Sequence, residues 1–402
     1  MKILSIETSC DETAVSLVEA SGGTESPTFK VLGNSLFSQI DIHKEYGGVY
    51  PNIAKREHAK NLPFILKQVL EQSETLNLKS EITKNPKETE NIWKKIKEIT
   101  KREYGLYEGM RKVLENIEKP NIDVISVTTG PGLAPALWVG ISFAKALEEL
   151  WGITVIPANH MEGHIASILI ESDDKRKIEF PALAMLISGG HTEFVYIKNW
   201  GEYEIIGQTL DDAVGEAFDK VARMLGLEYP GGPKVSRLAN DALVENAPKL
   251  AKFTRPMIKS DDLNFSFSGL KTQVLYYIRD LTQNNTLELS DDNKKDIARE
   301  FETTVIDVLM TKTKNALDRY AIKTLVVAGG VIASQKIAQS FSSLEAEYQG
   351  LTVKLPTKQL STDNSLMIAS ATYINLCIHP ELLNKNHNII ANGNSRLDEN
   401  LK

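Results

Sequence analysis

Cysteine is almost missing from this 402-residue sequence, which holds only Cys10 and Cys377. That scarcity excludes a disulfide-stapled framework and a thiolate zinc cluster, and it fits a reducing compartment. No run of ~18 apolar residues occurs, so no segment reads as a membrane span. The opening stretch MKILSIETS turns polar at Glu7. It is too short for a signal peptide and lacks the Arg/Ser bias of a transit peptide, so a cytoplasmic protein is expected. A basic excess is absent too. The formal charge of -7 argues against a coat of positive surface, although a local patch suffices to hold nucleic acid. What remains is an average globular composition, 42% hydrophobic and 25% charged, on a chain long enough for two domains or one bilobal unit.

The chain is organised around Asn159-His160-Met161-Glu162-Gly163-His164. Histidines at i and i+4 share a helix face, so both imidazoles can reach one divalent metal. This is half a site. Spacing alone leaves open two helix histidines that hold nothing.

Ile3, Leu4 and Ile6 lead through Ser9-Cys10-Asp11-Glu12 into a second apolar run, Thr13 to Val18, which predicts a hairpin. Leu183 to Ile187, Ser188-Gly189-Gly190-His191-Thr192 and Glu193 to Ile197 repeat that design. The repeat suggests two similar halves. Gly189-Gly190 can bring backbone N–H groups against an anion, or can simply be a hairpin turn. Leu325 to Ala328 runs into Gly329-Gly330-Val331 and a helical pattern from Ile332, the order that places a phosphate at a helix N-terminus. Val124 to Val127 followed by Gly130-Pro131-Gly132 and a helix is α/β grammar. Trp151 to Pro157 reads as a strand leading to the histidine helix, with Asn159 as its N-cap. Together the glycine turns point to nucleotide binding.

Asp211, Asp212, Glu216 and Asp219 gather carboxylates on or near one helix, with Asp212, Glu216 and Asp219 on one face. The readings are a ligand or metal site, or a solvated acidic face. Asp363 precedes a helix through Cys377 as an N-cap or a ligand. Residues 72–111 turn to Lys, Glu, Thr and Asn and are expected to be an inserted solvated helix or mobile arm. The Asn-rich tail 380–402 lacks apolar periodicity and is expected to be disordered.

Taken together, ETSCDET at 7–13, HKEYGGVYPNIAKREH at 43–58, TTGPGL at 128–133, NHMEGH at 159–164, SGGHT at 188–192, DDAVGEAFDK at 211–220, YPGGP at 229–233, FSFSGLK at 265–271, AGGV at 328–331 and TDN at 362–364 carry a resemblance. The chain resembles the bacterial tRNA N6-adenosine threonylcarbamoyltransferase family, formerly labelled O-sialoglycoprotein endopeptidase, over most of residues 1–378. The resemblance implies an α/β, actin-like and sugar-kinase-like ATPase fold with two lobes around a nucleotide and metal cleft. Residues 1–157 would form the N-terminal lobe, completed by a helix over 364–378, and 158–363 the C-terminal lobe.

By the same resemblance His160, His164 and Asp363 would hold one divalent metal, iron first and zinc as the alternative. Leu186, Ile187, Ser188, Gly189 and Gly190 would line the substrate site, with Asp219 on a ribose and Gly232 near the same adenylate. Ser334 stands where the family pattern has Asn, so a hydroxyl would replace an amide contact to the adenylate. The implied reaction moves a threonylcarbamoyl group from its AMP anhydride to N6 of adenosine 37 in tRNAs reading ANN codons. Asp11 or Glu12 is the expected relay for the amine proton. Implied partners are tRNA, threonylcarbamoyl-AMP, an inactive paralogue of the same fold and a small P-loop ATPase, or a second copy in a homodimer, with no membrane. Two rivals differ in class. A metalloprotease would use Glu162, but zincins need HExxH and Met161 follows the first histidine here. A non-catalytic nucleotide-binding partner would have no need of the two histidines and Asp363.

Overall fold

β1 (Lys2–Glu7) is buried along nearly its whole length, so both of its faces must be covered. A computed structural model describes residues 1–78, 86–170, 177–245, 249–283, 288–384 and 387–399. It divides the chain into two units, 1–42 with 49–177 and 363–402, and 43–48 with 178–362.

In the first unit β1, β2 (Glu12–Ser21) and β3 (Thr28–Ser38) form an antiparallel meander. β4 (Val124–Gly130) and β5 (Val155–Asn159) extend it in parallel on the other side of β1, in the order β3-β2-β1-β4-β5. The helices Pro51–Gln72 and Ala134–Trp151 bury apolar stripes with Leu4, Ile6, Val15 and Val127 in one core. The helix Ser365–Ile378 contributes to the same unit from more than 200 positions beyond β5, with all residues from Ser365 to Leu376 buried. Its first backbone carbonyl accepts from Ser5 Oγ at 2.7 Å, and Thr372 shares a hydrogen bond with Ser126, so the buried hydroxyls of Ser5 and Ser126 find partners on this helix.

The second unit repeats the plan. β6 (Ala182–Ile187), β7 (Thr192–Asn199) and β8 (Glu202–Gln208) form the meander, and β9 (Thr324–Ala328) and β10 (Thr352–Lys354) run parallel to β6, in the order β10-β9-β6-β7-β8. Both hairpins expected from the sequence are present at the start of their sheets. The duplicated meander with two parallel strands is the α/β, actin-like ATPase plan.

Several expectations need correction. Trp151 closes a helix, and β5 begins only at Val155. The histidine helix, His160–Ala166, belongs to the first unit, so the division falls after Lys177 and not after residue 157. The cause is packing. A Cβ added to Gly163 would meet Ile368 Cδ1 at 3.0 Å and Met367 Cγ at 3.1 Å, and Asn375 Nδ2 donates to Glu162 Oε2 at 2.7 Å, all from the helix Ser365–Ile378.

The insertion is not a solvated arm. Its helices Pro86–Ile99 and Leu106–Leu114 bury Trp93, Ile96, Leu106, Met110 and Leu114 in the first core, because apolar residues recur every three to four positions beneath the lysines. Residues 79–85 lie outside the described residues. The described part of the tail is likewise tied down. Asn392 N donates to Thr129 O (2.8 Å), Gly132 N to Gly393 O (3.1 Å) and Lys145 Nζ to Ile389 O (2.8 Å), while Ile389 is buried in the core. These are mostly backbone bonds, which no apolar periodicity announces. Among the described residues no helix is long and apolar enough to cross a membrane.

Candidate metal centre and glycine turns

Asn159 sets the histidine helix by accepting from the backbone N–H groups of Met161 (2.8 Å) and Glu162 (3.2 Å). His160 and His164 then lie edge to face, ring centres 4.7 Å apart. Asp363, just before the N-cap Asn364 of the helix Ser365–Ile378, brings Oδ1 to 3.4 Å from His160 Nε2 and 3.2 Å from His164 Nε2. The three side chains offer donor atoms within 4.8 Å of one another.

Whether a metal suits this place can be tested on His164. It is fully buried, its Nδ1 has no hydrogen-bond partner among the described residues, and its Nε2 faces only the Asp363 carboxylate, outside hydrogen-bonding geometry. Buried polar atoms left without partners are rare and call for an explanation. Two imidazoles and a carboxylate are a familiar catalytic donor set with positions left open for water or substrate, so the residues fit a divalent cation.

The charges are strongly coupled. Burial alone would lower His160, but the carboxylates of Asp363 and Glu7 outweigh it and hold the imidazole well above its ordinary range. Burial would raise Asp363, but the two imidazoles keep it well below the usual carboxylate range. Glu12, at the start of β2, is pushed well up by burial and by the neighbouring carboxylates of Asp11, Asp363 and Glu7. The Asp363 carboxylate of the triad is thus among the charges that act on Glu12.

In the second unit the end of β6 leads into Ser188-Gly189-Gly190-His191, closed by Ser188 N donating to His191 O and His191 N to Ser188 Oγ. A Cβ on Gly189 or Gly190 would meet nothing within 4 Å. The flanking glycines are different. On Gly215, at the start of the helix Val214–Met224, a Cβ would come to 2.6 Å from Ser188 O, and on Gly329, with φ of +102°, to 2.5 Å from Ile187 O. Thus Leu186, Ile187 and Ser188 run into an exposed turn against which a helix start and the β9 turn are packed. Asp219 Oδ1 accepts from Gly231 N at 2.7 Å, which puts Asp219 beside the first turn of the helix Gly231–Val244, where Gly232 sits.

The family model described as tRNA N6-adenosine threonylcarbamoyltransferase matches residues 30–81 and 109–370. A curated protein of that name from Geotalea daltonii is 39% identical over 377 residues, which cover 94% of this chain and 92% of that protein. One from Persephonella marina is 40% identical, with 93% and 90% covered. The chain belongs to this family. Among solved structures, that of HypF from T. kodakarensis aligns with a TM-score of 0.46 and 12% identity over 69% of this chain and 44% of that one. The break in the threonylcarbamoyltransferase match takes in the inserted helix Pro86–Ile99 and the start of Leu106–Leu114.

Seen in this family member, the acidic cluster is mostly structural. Asp212 precedes its helix instead of sharing a face with Glu216 and Asp219, and it pairs with Lys220 and Lys271 at 2.9 Å each. Burial would raise it, but those two ammonium groups hold it below its ordinary value. Glu216 also pairs with Lys220, and Asp211 accepts from the backbone N–H groups of Phe267 and Ser268. Ser334 caps the helix Gln335–Ser342, accepting from Ile337 N and donating to Glu302 Oε1 at 3.1 Å. Glu162, the residue a metalloprotease would need, is buried and bonded to Asn375. Sequence reasoning passed over Glu7. Its Oε2 lies 3.2 Å from His160 Nδ1 and 2.5 Å from Thr128 Oγ1. The available signal was a carboxylate ending a strand built mainly of Ile3, Leu4 and Ile6.

Proposed function

We propose that this chain transfers the threonylcarbamoyl group from threonylcarbamoyl-AMP to N6 of adenosine 37 in tRNAs reading ANN codons, with one divalent metal held by His160, His164 and Asp363. The observation that carries the reading is family membership over most of the chain together with a His/His/Asp donor set whose two imidazoles are buried. In the transfer a bond forms from N6 to the carbamoyl carbon, the bond from that carbon to the phosphate oxygen breaks, AMP leaves and the amine proton passes to a base. When bound, the metal, iron first and zinc as the alternative, would supply Lewis-acid polarisation or an anchor for the threonyl group.

The chain's own residues would hold and align the partners. Backbone N–H groups of Gly189 and Gly190 would receive the anionic adenylate, with Leu186, Ile187 and Ser188 ending the strand and opening the turn that position them. Asp219 would accept from a ribose hydroxyl, with Gly232 and Ser334 beside the same nucleoside. Glu12 or Asp11, side by side at the first hairpin turn, would take the amine proton. The same reading implies action in the cytoplasm with an inactive paralogue and a small P-loop ATPase, or as a homodimer.

The test is a transfer assay with purified chain, threonylcarbamoyl-AMP and unmodified tRNA, with and without candidate partners. Product is expected, and is expected to vanish in His160→Ala and His164→Ala. No product in any combination would overturn the reading, and full activity in both Asp11→Ala and Glu12→Ala would remove the proton relay.

A further inference from the structure

Glu7 ends β1 with its side chain fully buried, and the partners of its carboxylate assign each oxygen a direction. Oε1 accepts from Ser9 N at 2.5 Å, which turns the carboxylate within its own hairpin. Oε2 accepts from Thr128 Oγ1 at 2.5 Å and lies 3.2 Å from His160 Nδ1. A carboxylate has no proton to donate, so the hydrogen between Glu7 and His160 belongs to Nδ1. The remaining ring nitrogen, Nε2, is the one beside Asp363 and on the side of His164. The two histidines are unequal in this respect, because His164 Nδ1 has no hydrogen-bond partner among the described residues.

We propose that Glu7 is a positioning residue of the metal centre, holding His160 in the tautomer and ring plane that present Nε2 to the ion. A carboxylate behind a ligating imidazole fixes its orientation and strengthens it as a donor, and loss of such a partner weakens metal binding 10- to 100-fold as an order of magnitude. The inference rests on the metal reading given above. It adds that the first strand, which supplies none of the three ligands, decides how tightly the ion is held.

The experiment uses the full chain, stripped with a chelator and titrated with Zn2+ or Co2+ against a chromophoric competitor. Glu7→Gln keeps the side-chain shape and is expected to bind roughly 10- to 100-fold more weakly, with a shifted Co2+ absorption spectrum. Thr128→Val removes the neighbouring bond to the same oxygen without touching His160, and is expected to leave affinity close to that of the unaltered chain. His160→Ala serves as the reference. If His160→Ala loses the metal while Glu7→Gln binds like the unaltered chain, the inference is overturned. If His160→Ala also binds normally, the metal reading itself fails. Should Glu7→Gln not fold, 15N-histidine NMR of the unaltered chain loaded with Zn2+ decides the matter. A proton on Nδ1 and the ion on Nε2 of His160 support the inference, and the ion on Nδ1 overturns it.

Discussion

Ser334 Oγ serves two partners at once, accepting from Ile337 N and donating to Glu302, whose side chain is buried. Burial raises the Glu302 carboxyl above its ordinary value, and the hydroxyls of Ser236 and Ser334 with the ammonium of Lys336 only partly offset that. The sign follows from linkage. With its folded value above the unfolded ~4.3, Glu302 contributes stability that is present below that pH and lost as pH rises through the folded value. Glu302→Gln removes this loss, so its stability relative to the unaltered chain should improve over the pH window that opens above the unfolded ~4.3, read in urea unfolding. A difference that stays constant across that window would show that Glu302 is not strained in its ionised form. At this scale the sequence was legible where a residue's role depends on near neighbours, as with Asn159 capping the histidine helix. It was silent for Glu7 and Glu302, whose partners come from remote segments.

Glycine turns and inserted helices behave as elements. Gly329 is held at positive φ with its Cα against Ile187, so Gly329→Ala should cost about 1–3 kcal/mol of stability in denaturant unfolding. Gly189 has room for a methyl group, so Gly189→Ala should fold normally while weakening adenylate binding, read as a rise in the KM for threonylcarbamoyl-AMP. Unchanged kinetics in Gly189→Ala would detach this turn from the substrate. In the insertion, Trp93 is fully buried, stacked edge to face on Tyr107 at 6.1 Å and packed with Ile96 and Met110. Trp93→Ala should therefore cost about 3–5 kcal/mol, measured by chemical denaturation. A loss within about 0.5 kcal/mol, as for a surface substitution, would restore the picture of a solvated arm. Lysine-rich composition hid this core because charge on one face of a helix says nothing of the other until Trp93 and Ile96 are counted at helical spacing.

Over the whole molecule, the three candidate metal donors come from two places in the chain, His160 with His164 and Asp363, and all belong to the first unit. An ion that binds the folded form alone stabilises it by mass action, by about 2.7 kcal/mol at a concentration 100 times its Kd. Removing the metal with a chelator should therefore raise amide hydrogen exchange in β1, β5 and the helix Ser365–Ile378, measured by mass spectrometry. Equal protection with and without the ion would argue that these residues bind none.

The sequence by itself determined the two hairpins, the glycine turns and the i, i+4 histidine pair, since each depends on periodicity or on residues only a few positions apart. It also carried, through its motifs, the family and with it the expected third ligand. Only the tertiary structure decided that the histidine helix packs on the helix Ser365–Ile378 through Gly163, and that the tail binds the Gly130–Gly132 turn. The same is true of the contact between Glu7 and His160. The physical reason is common to all of these. They are hydrogen bonds and close approaches between segments 100 to 360 residues apart, such as Ser5 to Ser365 and Glu7 to Thr128, and no local pattern encodes which distant backbone will be the partner.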